Sequence, residues 1–264
     1  LERVIEMTEN SNQETVLLLK ELYKSFDGVD AVCNVNFAMK YGENCALIGP
    51  NGAGKTTLFN LITGEIQADK GGICLFENDV TNTHVQHRNM LGMGRTYQIS
   101  NLFLKLTVKE SLFLALWEKR GKRSLPIFRS WSKYTMENEQ AREFAHMIGL
   151  ESKFETTVEK LSHGERRKLE LGMAIASKPK IILMDEPTAG LSSTERTSMI
   201  KLITKLTSKM MILLIEHNMV VVHSIVNRVI VMDRGSIIAD GSPKSISSDK
   251  QVQKIYMIGP EGKN

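Results

Sequence analysis

Long apolar runs are missing from this 264-residue chain. The longest, MMILLI at 210–215, is the size of a strand and far short of the ~20 residues that a membrane-spanning helix needs. Any membrane role must therefore come through a partner. Cysteine is scarce: Cys33, Cys45 and Cys74 are an odd set with no CxxC spacing. That argues against a disulfide framework or a zinc site, fits a reducing compartment, and leaves them as small buried apolar side chains. The opening LERVIEMTENSNQET is polar and acidic, without the apolar segment of a secretory leader, and residues 1 to about 15 read as a loose lead-in. Internal repeats and low-complexity segments are absent. Neither charge sign dominates. A net charge of +4 permits contact with nucleic acid or a membrane surface but argues for neither. With 42% hydrophobic and 24% charged residues, the composition is that of an ordinary globular protein, long enough for one large domain or a domain plus a subdomain.

What is present is a pattern of short apolar strands separated by helical spacing. TVLLLKELYKSF and AVCNVNFAM read as β-structure. NCALIG leads into glycines and then KTTLFNLITG, which has helical periodicity and a glycine stop: strand, loop, helix. GGICLFENDV returns to strand-like alternation. From about 100 to 178 the pattern turns helical, in TVKESLFLALWEKR, NEQAREFAHMIGL and GERRKLELGMAIAS. From 179 onward KIILMDE, MILLIEH and RVIVMD are near-continuous apolar runs, as in parallel strands buried on both faces. STERTSMIKLITKLTS and MVVVHSIVNR are helical between them. The expected architecture is an α/β fold with a parallel-sheet core that carries an inserted helical subdomain.

The chemistry concentrates in few places. GPNGAGKT, Gly49 to Thr56, matches G-x-x-x-x-G-K-[ST]. Its glycines (Gly49, Gly52, Gly54) with Asn51 and Ala53 let backbone N–H groups face the β- and γ-phosphates, and the following helix adds its positive end. Lys55 reaches the terminal phosphates, and the hydroxyl of Thr56, followed by Thr57, is placed to ligate Mg²⁺. IILMDEP ends a buried strand in two acids. Asp185 can hold Mg²⁺, directly or through water, and Glu186 can polarise an attacking water. His217 closes the next apolar strand. Ligands in open α/β sheets lie beyond the carboxyl ends of the strands, so His217 is expected at the same crevice. Phe26, ahead of the glycine loop, could stack on a base or pack in the core. Gln98 taken singly carries little meaning.

LSHGE at 161–165 opens a helix with a serine and a glycine, a second anion site far from the first. For the two to form one site within a chain, the helical segment would have to fold back over the nucleotide. The economical alternative is a head-to-tail pair of chains, in which Ser162 of one caps the ATP held by Lys55 of the other, and two-fold symmetry closes two such sites.

Taken in order, Phe26, the glycine loop at 49–57, Gln98, LSHGE at 161–165, the acidic strand 181–186 and His217 resemble the ATP-binding-cassette ATPases, over essentially the whole chain. The resemblance implies the α/β P-loop NTPase fold of that family, with a parallel-sheet core, an antiparallel β subdomain and an inserted α-helical subdomain, in a nucleotide-binding subunit that dimerises around two ATP·Mg²⁺, as a homodimer or a heterodimer. It makes Glu186 the catalytic base and lets His217 contact the γ-phosphate and the water. Gln98 would join Thr56 and Asp185 around the metal and link them to the groove for a membrane subunit. Ser162, His163, Gly164 and Glu165 would act in trans. As a domain assignment it makes 1–264 a single ATP-binding domain, with the α/β core over about 15–98 and 170–264 and the helical subdomain over about 99–169.

GRTYQISNLFLKLTVKESLFLA, the basic stretch near 119–133, ILLIEHNMVVVHSIVNRVIVMDRGSIIADGSP and VQKIYMIG look like the branched-chain amino-acid transporter ATPases, in particular the larger of their two ATPase subunits, which carries such a basic segment. Urea-type and lipopolysaccharide-export ATPases share much of the pattern, and a non-transport regulatory ATPase is the other alternative, which a missing Glu186 would have supported. This resemblance implies two transmembrane permease subunits, an extracytoplasmic substrate-binding protein and a peripheral place on the cytoplasmic face of the membrane. His163 and Glu165 stand where many members have glycine and glutamine, and Ser192 where many have aspartate. Lys119, Arg120, Lys122, Arg123, Arg129 and Lys133 form the basic stretch, read as a solvated insertion near anionic lipid in preference to a nucleic-acid patch. A long coiled coil, as in DNA-repair relatives, and a second cassette, as in translation factors, are both absent, so nucleic acid is not an expected partner.

Overall fold

The computed structural model describes residues 15–96, 102–119 and 135–258. It divides into two compact units, Leu1–Met93 with Met211–Asn264, and Gly94–Met210.

The first unit begins with β1 (Thr15–Phe26) and β2 (Val29–Lys40), an antiparallel hairpin in which Phe26 pairs with Val29. Asp27 (φ 47°) and Gly28 (φ 82°) form its two-residue turn. Positive φ at both positions is the primed turn whose twist suits a hairpin, and Asp-Gly is a preferred sequence for it. After β3 (Cys45–Ile48), the glycine loop and α1 (Lys55–Thr63), the chain returns through β4 (Lys70–Leu75) and β5 (Asn78–Asp79). The antiparallel sheet runs β2-β1-β4-β5. A short helix, α2 (Val85–Leu91), follows. Its Arg88 is 1% exposed. The Arg88 guanidinium donates to the carbonyls of Leu61 and Ile62 at 2.7 Å and of Val80 at 2.6 Å. It thereby supplies charged donors to carbonyls of the last turn of α1, where Leu61 also accepts from Gly64 N–H. Burial pulls its pKa down to about 10.

The strand β6 (Met93–Arg95) leads into the second unit. Here α3 (Val108–Lys119), α4 (Thr135–Met147) and α5 (His163–Ala176) pack on one another. Their core holds Leu112, Ala141, Ala145, Ile148 and Leu169, with Phe113 stacked on Trp117 at 5.7 Å. A Cβ on Gly172 would lie 2.7 Å from Ile148, so α5 approaches closely only because that position is bare. The buried strand β7 (Ile181–Asp185) and α6 (Ser193–Leu206) belong to the same unit. Its Leu183 carbonyl accepts from Thr96 N–H at 2.9 Å.

The chain returns to the first unit with β8 (Met211–Ile215), α7 (Met219–Ile225), β9 (Arg228–Asp233), β10 (Ser236–Gly241), α8 (Pro243–Ser248) and α9 (Lys250–Ile258). There β3 lies between β8 and β9, parallel to both, and β10 is antiparallel to β9. Every residue of β3 and β8 is buried. Their unbroken apolar sequences have this cause: a strand covered on both faces has no solvent side to make polar. The α/β character, the parallel core and the helical region are thus present as expected. The short α2 and the C-terminal β10 and α8 carry weaker periodic signals, whereas α9 has a pronounced apolar face that the sequence reading did not use.

Candidate nucleotide site

In the first unit, β3 delivers the chain into the loop Gly49–Gly54 and then α1. Two glycines are dictated by space as well as by conformation. Gly49 (φ 152°) has no room for a Cβ, which would collide with the Met232 carbonyl. At Gly54 (φ 96°), a Cβ would strike the carbonyl of Ala31. Gly54 is the N-cap of α1, supplies no side-chain acceptor, and no acidic residue stands in the first turn. Such a start leaves the positive end of the helix directed at whatever anion the loop holds. Lys55 is 7% exposed, and its ammonium donates to the carbonyls of Gly49 and Pro50 at 2.8 Å each. The cation is therefore clasped across the mouth of the loop. Asn51, Gly52 and Thr56 are exposed, Thr57 is half-buried and Ala53 is buried. Bare glycines, a lysine and an uncapped helix start make a donor set that fits a polyphosphate.

Because Leu47 pairs with Ile215, the chain leaves β3 and β8 at the same edge of the sheet, with Gly49 and His217 each two residues beyond that pair. His217 is half-buried. Its N–H donates to the carboxylate of Glu216 at 3.0 Å, and Asn218 N–H donates to the same oxygen at 3.3 Å. Glu216 is 3% exposed, a buried acid that folds the strand end and so sets where His217 begins. Sequence reasoning passed over it. The signal was an acid closing an otherwise apolar run. Phe26 lies at the hairpin tip, 45% exposed, with the Lys24 ammonium 5.3 Å from its ring centre. Its packing in the core, one of the two sequence-level readings, is thereby corrected: the tip of a two-stranded hairpin offers nothing to pack against.

In the second unit, Asp185 is buried at the end of β7, 4% exposed. Glu186 follows with φ 46°, the left-handed region that non-glycine residues rarely occupy. That conformation costs of order 1 kcal/mol and turns the chain sharply out of the strand, so adjacent acids depart in different directions. Ala189 N–H closes the turn onto the Glu186 carbonyl at 3.1 Å.

The LSHGE segment has a full reciprocal cap. Ser162 is the N-cap of α5 and its hydroxyl accepts from Glu165 N–H at 3.2 Å, while Glu165 accepts from Ser162 N–H at 2.9 Å. Lys153 bonds the Glu165 carboxylate at 2.7 Å. Burial works to raise the pKa of Glu165, but Lys153 and Ser162 N–H outweigh it and hold the carboxyl below its ordinary range. Gly164 N–H and the Ser162 hydroxyl both donate to Glu195, at 3.2 and 3.3 Å. His163 is exposed, its ring beside the Gly190 turn. Glu195 was not singled out in the sequence. Ser192 caps α6 with Glu195 just as Ser162 caps α5 with Glu165. Gln98 and the basic stretch beyond Lys119 lie outside the described residues.

A glycine loop between a buried parallel strand and a helix, with a clasped lysine, defines a P-loop nucleotide-binding protein. The particular kind follows from comparison. The ABC transporter family profile matches residues 32–189, more than half of the chain, and the chain belongs to that family. It is 33% identical over 252 residues to the high-affinity branched-chain amino acid transport ATP-binding protein LivG of Salmonella typhimurium, spanning 92% of this chain and 98% of that protein. It is 32% identical over 244 residues to the lipopolysaccharide export system ATP-binding protein LptB of Haemophilus influenzae, at 92% and 97% coverage. Among solved structures it resembles the ADP conformation of MJ1267, an ATP-binding cassette of an ABC transporter. There the TM-score is 0.81 with 28% identity over 92% of this chain and 99% of that one. The chain is an ABC transporter ATP-binding subunit with ATPase activity. Subunits of this kind work with transmembrane permease components. Among the described residues, no helix is long and apolar enough to cross a membrane.

Proposed function

We propose that this chain powers the import of branched-chain or related amino acids through separate membrane subunits. The observation that carries this reading is the match to the amino-acid ATPase LivG over 92% of the chain. LptB matches at nearly the same identity, which favours lipopolysaccharide or lipid export as the second reading. The partners would be a second ATPase subunit, two permease subunits and an extracytoplasmic binding protein, with the chain on the cytoplasmic face of the membrane. The whole chain would act as one ATP-binding domain.

In this reading the loop amides from Gly49 to Thr57 and the Lys55 ammonium bind the β- and γ-phosphates, and Phe26 stacks on the adenine. The Thr56 hydroxyl, Gln98 and the Asp185 carboxylate hold Mg²⁺, a hard cation that takes oxygen donors of this type. Bound there, the metal would neutralise charge on the phosphates. Glu186 accepts the proton of the attacking water as its oxygen bonds the γ-phosphorus and the bridging oxygen leaves with ADP. His217 steadies the γ-phosphate. Ser162 and Gly164, with His163 and Glu165 around them, complete the site on a partner's ATP. Affinity capture from gently solubilised native membranes, with mass spectrometry of the captured proteins, tests this reading. Two polytopic subunits, a second ATPase and an amino-acid-binding protein are expected. Recovery of a lipid-handling assembly would move the assignment to export, and recovery of no membrane protein would remove the transport role.

A further inference from the structure

One carboxylate joins the two serine-capped helix starts of the second unit. Glu195 Oε1 accepts from Gly164 N–H at 3.2 Å and from the Ser162 hydroxyl at 3.3 Å. Its Oε2 accepts from the Ser192 hydroxyl at 2.8 Å and Ser192 N–H at 3.1 Å. The side chain lies flat on Gly164, where a Cβ would fall 2.5 Å from Oε1 and 2.7 Å from Cδ. The Ser192 hydroxyl and N–H foremost, then Gly164 and Ser162, hold the Glu195 carboxyl below its usual range, so it is an anion at neutral pH. Capping α6 needs only Oε2. The reach to α5 is an additional contact, made with the hydroxyl and amide that the proposed trans arrangement assigns to a partner's phosphate. Ser162 is exposed and Glu195 half-exposed, while Gly164 is buried with the Glu195 side chain against it, so an incoming anion reaches the Gly164 N–H only when Glu195 moves aside.

Two anions cannot share this pair of donors. A carboxylate and a phosphate a few ångströms apart repel, and the donors cannot satisfy both. We propose that Glu195 is an internal anion that occupies the Ser162–Gly164 donors and yields them to the γ-phosphate of a partner's ATP, so that release of this contact is a step in closing the composite site. The proposal rests on the trans reading of the LSHGE segment given above. It makes Glu195 a positioning residue that sets how much ATP closure requires. An amide in its place keeps an oxygen acceptor and removes the charge.

The test is ATP-driven association, followed by light scattering, of the chain carrying Glu186→Gln, with the second ATPase that capture identifies. Adding Glu195→Gln should lower the ATP concentration at half-association about fivefold, the effect of removing one like charge near a surface. The melting temperature, which a purely structural cap would move, is measured alongside. An unchanged or raised ATP midpoint overturns the proposal. Adding Ser162→Ala tests the foundation separately: association at an unaltered ATP concentration would overturn the trans reading itself. In the isolated chain labelled with ¹⁵N-glycine, the Gly164 amide resonance should shift on Glu195→Gln. A resonance that stays in place shows that the contact does not form and also overturns the proposal.

Discussion

The helix starts of α1 and α5 are prepared in opposite ways. At α1 the cap is a glycine, the first turn has no acid, and Lys55 is clasped to the carbonyls of the loop. At α5 the cap is a serine in a reciprocal box, Glu165 sits in the first turn, and Glu195 lies on the remaining donors. The first start offers its donors and a cation to any polyphosphate. The second already holds two carboxylates of its own chain. A site that binds nucleotide unaided needs the first arrangement. A site that acts only when a second chain brings the phosphate is better served by the second, because its donors stay satisfied in the meantime.

The comparison can be broken most severely at Gly54. Gly54→Ala places a Cβ against the Ala31 carbonyl at φ 96° and should abolish nucleotide binding, measured with a fluorescent ATP analogue. The matching change, Gly164→Ala, meets only the movable end of Glu195 and should leave that binding intact while impairing hydrolysis. Next in size, Glu186→Gln should retain ATP and lose about 10²–10³ in turnover, followed by phosphate release. Ser162→Ala should cost ~1 kcal/mol of stability through the lost cap, read in denaturant melts, and should lower turnover without weakening ATP binding to the single chain. The smallest effect belongs to Lys153→Met. The pair it breaks is partly exposed and is worth under about 1 kcal/mol. Because the folded-state pKa of Glu165 is lowered, its contribution is present above the ordinary glutamate range and lost as pH falls through the lowered value. The stability difference between parent and Lys153→Met should therefore vanish on acidification in melts run as a pH series.

The motif of the loop Gly49–Gly54 was legible in the sequence because each glycine, the lysine and the helix start lie within a few residues of one another, whereas the Met232 and Ala31 carbonyls that exclude side chains at Gly49 and Gly54 were not. The start of α5 was legible for the same reason, since the capping box spans only Ser162 to Glu165. Glu195 was not, because nothing in STERTS says that its carboxylate also reaches Gly164, thirty-one positions earlier. Arg88 and Glu216 escaped notice likewise. An arginine in HVQHRNM reads as a surface residue until the carbonyls at the end of α1 surround it, and an acid beside His217 reads as exposed until the strand end buries it. Phe26 could be read two ways, and the position of the hairpin tip removed only the core reading.

By itself, then, the sequence determined the main strands and helices of the core, the phosphate loop and the class of chemistry, because periodicity, glycine conformation and capping act over a few residues. Tertiary structure alone decided which carbonyls Arg88 satisfies, how the Glu216 carboxylate sets the backbone at His217, and that Glu195 rests on the donors of Ser162 and Gly164. Those are contacts of folded surfaces, and hydrogen bonding at 3 Å depends on where a distant backbone arrives rather than on which residues flank it.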